Sequence, residues 1–255
     1  MILLPPNLIK VDEKQLKNID FKVKEIYRNV IFNTEISSKK LLESFQSSTN
    51  SLTDLLTIKN AQMEAQNEEE LAVYIKNLNN TIAFVLNEIK AQTPFTKEIQ
   101  LFQLFRLLSP ESYQLHPNRY RDTLVMVGNY YCPDSKEIPG LVTQLFQNIN
   151  EISNPLIKAI YFHHELIRIH PFVDGNGRVT RIAKNWILMY ELYPPIFIKD
   201  NIEKKMYIKS LNDSFKSLQS RDPQWNNNTS TFFQQEMNRV LQNINFIINK
   251  MSSNE

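Results

Sequence analysis

Residues 170–181 read HPFVDGNGRVTR, and the reading of the whole 255-residue chain turns on them. Upstream, Ile157, Ile160, Tyr161, His164 and Ile167 recur at the spacing of one helix face, so a helix is expected over 154–169. Downstream, an apolar helix is expected over 178–190. The polar loop between them holds Gly175 and Gly177, two of only 4 glycines in the chain. An average chain of this length would carry roughly 18. Glycine therefore stands here where backbone geometry demands it.

Successive backbone N–H groups in such a loop form a concave anion site, and the positive end of the following helix adds to it. Arg178 and Arg181 lie three residues apart, so both reach the same end of the new helix. Two guanidinium forks there suit a phosphate chain. Asp174 offers one hard oxygen ligand for Mg²⁺, which binds through one or two carboxylates together with substrate phosphates and water. His170, with an ordinary pKa near ~6.5, suits a general base. These are the parts of phosphoryl or nucleotidyl transfer. The plain alternative, a glycine turn with incidental charges, leaves so many chemically apt residues in one short stretch unexplained.

Composition excludes other classes. A hydrophobic content of 42% is enough to build a core, and a net charge of +2 argues against a dedicated nucleic-acid binder. No apolar run reaches the roughly 18 residues of a membrane span. The start, MILLPPNLIK, lacks a basic region and is interrupted by Pro5 and Pro6, which makes a poor signal peptide. Cys132 is the lone cysteine, so no internal disulfide forms and a reducing compartment is expected. A packed thiol is the favoured reading of Cys132 over a nucleophile. The expected location is cytoplasmic, with export as an effector left open.

Elsewhere the pattern is helical. Ile19, Val23, Ile26, Tyr27 and Val30 mark a first helix, and further helices are expected over 37–58, 68–90, 97–108 and 139–150. Residues 123–127 and 130–132 are β-prone and flank a Gly128-Asn129 turn, which predicts one hairpin. A polar loop over 220–229 precedes a tail helix carrying Val240, Ile244, Ile247 and Ile248. The fold class is therefore all-α, a helical bundle with one short β-hairpin. His163 and His164 are adjacent and diverge on their helix, so they read as core or supporting residues rather than metal ligands.

The 170–181 stretch matches every fixed position of the Fic-family motif H-P-F-x-[DE]-G-N-G-R-x-x-R, and the chain resembles that family over about 97–233. Residues 120–128 resemble its flap, and Tyr193-Pro194-Pro195-Ile196 and residues 207–211 resemble later segments. The resemblance implies an N-terminal helical region over 1–95, a Fic core over 96–236 and a C-terminal helix over 237–255. It implies a protein adenylyltransferase that moves AMP from ATP to a Ser, Thr or Tyr hydroxyl of a target protein and releases pyrophosphate. His170 would be the base, and Asp174 would hold Mg²⁺. Gly175, Asn176 and Gly177 would form the anion hole, while Arg178 and Arg181 would grip the β- and γ-phosphates. Phe172 would anchor the loop and Pro171 would stiffen it. Val125, Met126 and Val127 of the flap would pair with the target's backbone. Asn185 and Tyr207 are candidates beside the nucleotide, and Ile208 stands where relatives often carry a second Tyr.

The expected partner is a protein, with neither nucleic acid nor membrane. Self-association is common in the family, which leaves a homo-oligomer open. Transfer of UMP, GMP or phosphocholine, or removal of AMP, is the alternative activity. A kinase is disfavoured because Gly177 is intact, and a silent scaffold because His170 and Asp174 are.

Many family members carry an inhibitory helix of pattern [ST]-x-x-x-E-[GN], whose Glu pairs with the second motif Arg. Residues 44–53 read SFQSSTNSLT, and the chain holds no Glu-Gly or Glu-Asn pair. Aligned there, Ser44 takes the first position and Ser48 the position of the Glu. A neutral Ser48 makes no charge-assisted bond to Arg181. The resemblance then implies an unrestrained transferase and a poor hydrolase. The alternative is that this helix is a packing element and the alignment lies elsewhere.

Overall fold

At the centre of the molecule two helices are buried almost end to end, α7 (Pro155–Ile169) and α8 (Asn176–Tyr190). The computed structural model describes residues 1–32, 37–117 and 119–252, and the side chains of all of these but 29–32, 37–42, 44 and 45. A helix apolar on every side belongs in the interior, and α7 buries each residue from Leu156 to Ile169 except Lys158. Asn154 starts it, its side chain accepting from the Ile157 amide at 3.1 Å, and Pro155 follows at the position that needs no amide hydrogen. His170 ends it in a left-handed conformation, φ 51°. Only the loop of residues 171–175 separates it from α8.

The other helices surround this pair. They are α1 (Glu13–Phe32), α2 (Ser37–Glu64), α3 (Glu68–Lys90), α4 (Glu98–Leu108), α5 (Pro110–Leu115), α6 (Ile138–Glu151), α9 (Asn201–Ser217) and α10 (Asn227–Ser252). Trp186 of α8 is fully buried, 5.7 Å from Phe84 of α3 and 5.3 Å from Phe95, and it donates to the Thr93 carbonyl at 3.2 Å. Asn67 caps α3 by accepting from the Glu70 amide at 2.8 Å, and Glu68, Glu69 and Glu70 meet the positive helix end. No helix among the described residues is long and apolar enough to cross a membrane.

The all-α expectation holds, with one two-stranded sheet: β1 (Met126–Val127) antiparallel to β2 (Tyr130–Tyr131), Met126 opposite Tyr131 and Val127 opposite Tyr130. The hairpin is shorter than its β-prone sequence. Arg121 is the reason. Its guanidinium donates to the carbonyls of Thr123 (2.5 Å) and Pro133 (2.7 Å), so beyond the Cys132–Val125 bond the two flanks meet a side chain rather than each other.

Three further differences have physical causes. The second helix runs past Ile58 to Glu64, because polar Asn60 finds a buried partner (below). Residues 110–115 form a helix that the sequence pattern did not announce, started by Pro110. The boundary placed between 236 and 237 falls inside α10, whose Met237, Val240 and Ile244 share one core with Leu16 and Ile19 of α1. Cys132 is a packed thiol that burial pushes up to about 11.

Beneath the core lies a buried charge cluster. Glu236 of α10 meets Lys184 of α8 at 2.5 Å and pairs with Arg239, which reaches Glu203 at 2.8 Å. His163 lies 3.4 Å from Glu236 through Nδ1, and its Nε2 and the Tyr207 hydroxyl share a hydrogen bond at 2.9 Å. Burial, and after it the Lys184 charge, pushes the His163 pKa down to about 3. Burial alone would raise the Glu236 pKa, but Lys184 and Arg239 outweigh it and hold the carboxyl well below its usual range. The unfolded chain protonates His163 near ~6.5, so between that pH and about 3 it binds more protons than the folded one. Stability therefore falls as pH drops below ~6.5, and the depressed carboxyl adds to the loss below its unfolded pKa. The expected outcome is a urea midpoint that declines steadily from pH 7 to pH 4. His163→Gln should make that decline shallower; an identical slope would remove His163 from this account.

Candidate active site

The loop between α7 and α8 is locked by its own residues. Asn176 accepts from the Phe172 amide at 2.8 Å and donates to the Phe172 carbonyl at 2.7 Å. The Phe172 ring is buried and stacks on Phe105 of α4 at 4.2 Å. Arg121 holds the other side, its Nε donating to the His170 carbonyl at 2.7 Å and its amide to the Pro171 carbonyl at 2.8 Å. Gly175 has φ 73° and lies against Ser109, so a side chain there would be strained and would overlap Ser109. The side chain of Asn176 thus builds the loop, and what remains for an anion is the backbone at the start of α8.

A cleft of about 350 Å³ opens over this loop, within the range of small-molecule sites. Its polar end is lined by Glu64, Asp174, Gly175, Gly177 and Arg181, with His170 beside them. Its other end is largely apolar: Val127 of the hairpin, Ile167 of α7, and Tyr207, Ile208, Leu211 and Asn212 of α9. His170 Nδ1 is sealed from solvent, which leaves Nε2 as the nitrogen for the cleft. Burial pushes the His170 pKa down to about 4, helped by the Arg121 charge. The imidazole is neutral at pH 7 and ready to take a proton.

Glu64 is the residue that the sequence did not single out. Its carboxylate meets Arg181 Nη2 at 2.5 Å and Arg178 Nε at 2.9 Å. Asn60, one turn earlier on α2, accepts from Arg181 Nε at 2.5 Å. Lys204 of α9 secures the end of α2 by donating to the Met63 carbonyl at 2.5 Å. Gly177 admits this arrangement, since a methyl group there would overlap the Glu64 carboxylate.

The expectation of a missing carboxylate is therefore corrected. Ser48 is buried on α2, sixteen residues before Glu64, and the side chain of Ser44 lies outside the described residues. The charge partner of Arg181 is Glu64, not an absent one at position 48. Residues 60–65 depart from the inhibitory pattern, with Asn60 in place of Ser or Thr and Ala65 in place of Gly or Asn. The available signal was an amide and a carboxylate four residues apart at a helix end.

Two further expectations change. Asn185 does not line the cleft: it donates to the Arg181 and Ile196 carbonyls at 2.9 Å each and accepts from the Ile196 amide at 2.7 Å, which makes it a strut inside the fold. Arg178 faces away from the cleft, over the Tyr74 ring at 4.1 Å and bonded to the Leu108 carbonyl at 3.1 Å and Asp174 at 2.9 Å. Tyr207 and Ile208 do line the cleft, but the Tyr207 hydroxyl is held by His163. Of the hairpin residues, Val127 reaches the cleft and Met126 is exposed beside it. The Val125 carbonyl accepts from the Cys132 amide at 3.1 Å.

A helical protein with a hairpin over an anion site at a buried helix start is the class that these features define. Residues 94–188 match the model of the Fic/DOC family. The chain is 33% identical over 103 residues to the protein adenylyltransferase Fic of Nematostella vectensis, covering 39% of this chain and 24% of that one. It is 32% identical over 112 residues to the Drosophila erecta protein of the same name, covering 42% and 22%. The matched stretch thus spans less than a quarter of the length of these relatives. Among solved structures, a Fic domain containing signaling protein from Bacteroides thetaiotaomicron superposes with a TM-score of 0.73 at 18% identity, covering 94% of this chain and 98% of that one. Fic-1 from C. elegans gives 0.73 at 15%, covering 95% and 73%. A complex of IbpAFic2 with adenylylated Cdc42 gives 0.55 at 13%, covering 90% and 76%. At these identities the likeness establishes the fold.

The contact between Glu64 and Arg181 fills the anion site with a carboxylate of the chain itself. A phosphate entering the same site would compete with it, and its affinity would be lowered by the fraction of molecules in which Glu64 is engaged. Glu64→Ala should tighten ATP binding at least about tenfold by calorimetry. An unchanged dissociation constant would show that Glu64 does not compete with the nucleotide.

Proposed function

We propose that this protein is an adenylyltransferase that moves AMP from ATP to a hydroxyl side chain of a protein. The observation that carries the reading is the placement of neutral His170 beside an anion site built from Gly175, Gly177 and Arg181. A neutral imidazole within reach of a hydroxyl is a base, and a helix start with a guanidinium is a phosphate seat. The relatives named protein adenylyltransferase Fic support the same reaction.

In this mechanism His170 Nε2 takes the proton of a Ser, Thr or Tyr hydroxyl. The hydroxyl oxygen forms a bond to the α-phosphorus, and the bond from that phosphorus to the bridging oxygen breaks. Pyrophosphate leaves, and AMP stays on the target as a phosphodiester. Arg181 holds the terminal phosphates after Glu64 moves aside, and the amides at the start of α8 stabilise the charge that develops. Asp174 fits the needs of a magnesium ion: its carboxylate is 59% exposed at the rim of the cleft, and Mg²⁺ uses one or two carboxylates together with phosphates. Such an ion, when bound, neutralises phosphate charge. The hairpin beside the cleft offers Met126 and Val127 as a short edge for an extended segment of the target.

Glu64 supports a second reading. The carboxylate whose absence would disfavour AMP removal is present at the cleft. Hydrolysis would use Glu64 to orient a water whose oxygen bonds to the phosphorus as the bond to the target's oxygen breaks, with the water's proton passing through His170 to that departing oxygen.

Mass spectrometry separates the two. With ATP and Mg²⁺, Glu64→Ala should acquire AMP on itself or on an added protein, and Glu64→Ala carrying His170→Ala should acquire none. Modified protein mixed with wild type should keep its AMP under the first reading and lose it under the second. Transfer that survives the loss of His170 would overturn both.

A further inference from the structure

Arg121 lies just before the hairpin, and it is 2% exposed. A buried guanidinium is ordinarily matched by a carboxylate. Arg121 forms no ion pair among the described residues, and Asp134 acts on it only from a distance. Its side-chain hydrogen bonds go to main-chain carbonyls instead. Nη1 donates to Thr123 at 2.5 Å and Nη2 to Pro133 at 2.7 Å, one on each flank of the hairpin. Nε donates to His170 at 2.7 Å, and Nη2 also reaches Ile169 at 3.3 Å. These last two carbonyls end α7, where the helix has no partners of its own and its negative end favours a cation. A charge alone would satisfy the helix end. Carbonyls on two separate elements call for a rigid planar fork.

We propose that Arg121 is a positioning residue for the transfer: it joins the hairpin to the backbone of His170, so that the base and a segment laid on the hairpin are held in one register. The proposal rests on the reading of His170 as the base and of the hairpin as an edge for the target. His170 needs such support. It holds φ 51°, which a non-glycine residue keeps only where its surroundings fix it. Residue 121 grips this corner twice, because its amide also donates to the Pro171 carbonyl at 2.8 Å. The imidazole therefore takes its direction from a backbone that is tied, through one guanidinium, to both flanks of the hairpin. A small misplacement of a base relative to its hydroxyl is costly in rate.

The guanidinium also acts on the imidazole through its charge. Burial comes first in lowering the His170 pKa, and the Arg121 charge adds to it, while Glu64 of α2 and Asp174 of the loop act in the opposite direction. Position and charge belong to one side chain, yet two substitutions part them. Lysine keeps the charge and loses the fork, whereas methionine loses both. Arg121 is not among the residues that line the cleft, so neither change alters the seat of the phosphates.

The test adds Arg121→Lys or Arg121→Met to the full chain carrying Glu64→Ala, and follows AMP gained by the protein itself from ATP and Mg²⁺. Both variants should bind ATP within about twofold of the parent by calorimetry. Both should lose roughly a hundredfold in transfer rate at saturating ATP. The acid limb of the rate should move to higher pH in Arg121→Met only. Proton resonances of the His170 ring, assigned with His170→Ala, give a readout that needs no activity. They should shift in both variants, and the His170 pKa should rise above about 4 in Arg121→Met alone. Arg121→Lys decides the matter if Arg121→Met does not fold. Transfer by Arg121→Lys at the parent's rate would show that charge suffices, and it overturns the proposal. So does a loss of ATP binding as large as the loss of rate, or a His170 ring that neither variant disturbs. A parent that transfers nothing while the ring shifts in both variants overturns the transferase reading and leaves the tie between Arg121 and His170 intact.

Discussion

Arg181 is 4% exposed at the start of a buried helix, and a guanidinium in that position must be met by charge and by hydrogen bonds. Asn60 and Glu64 meet it from α2, and Glu64 touches Arg178 as well. That requirement shapes the N-terminal half of the molecule. It explains why α2 continues to residue 64, why an asparagine is buried near its end, and why the chain turns back into α3 at Asn67. Tyr74 of α3 then completes the enclosure by lying against Arg178.

The same logic repeats along α8. Arg178, Arg181 and Lys184 follow one another at three-residue intervals, which sets them along one side of the helix. Each has an acidic partner from a different part of the chain: Asp174 in the loop, Glu64 at the end of α2, Glu236 in the middle of α10. Buried pairs of this kind add little net stability against an apolar core, but removing one partner is costly. Their effect is to specify which helices pack against α8 and in what register. The cluster around Glu236 also reaches the cleft, because His163 holds the Tyr207 hydroxyl and so orients a ring that lines it.

The cleft in this state is half committed. Its apolar end is open, while its polar end holds a carboxylate that belongs to the protein. Glu64 is 26% exposed and sits at the last residue of a helix, so it can leave Arg181 without disturbing α7 or α8. Lys204 resists that movement by holding the Met63 carbonyl. On the proposed reading, occupancy by nucleotide and engagement of Glu64 are two states of one arginine, and their balance would set how much of the protein is competent.

Sequence alone carried the loop. Glycines, a histidine, an aspartate and Arg181 within residues 170–181 pointed to a candidate anion site whose geometry is local, because loop and helix start are contiguous in the chain, while Arg178 was expected there and faces away. It also carried most helix positions, since α3, α4, α7 and α8 have strong periodicity and clear ends. It could not assign the partner of Arg181. Asn60 and Glu64 lie more than a hundred residues away, neither is unusual for an amphipathic helix, and only packing brings them to the loop. For the same reason Asn185, polar and close to Arg181 in sequence, was expected at the cleft but is turned into the fold by the carbonyls of Arg181 and Ile196. Chemistry within one turn of the chain is legible from residue order; a contact between distant segments is decided by which surfaces the core leaves facing each other.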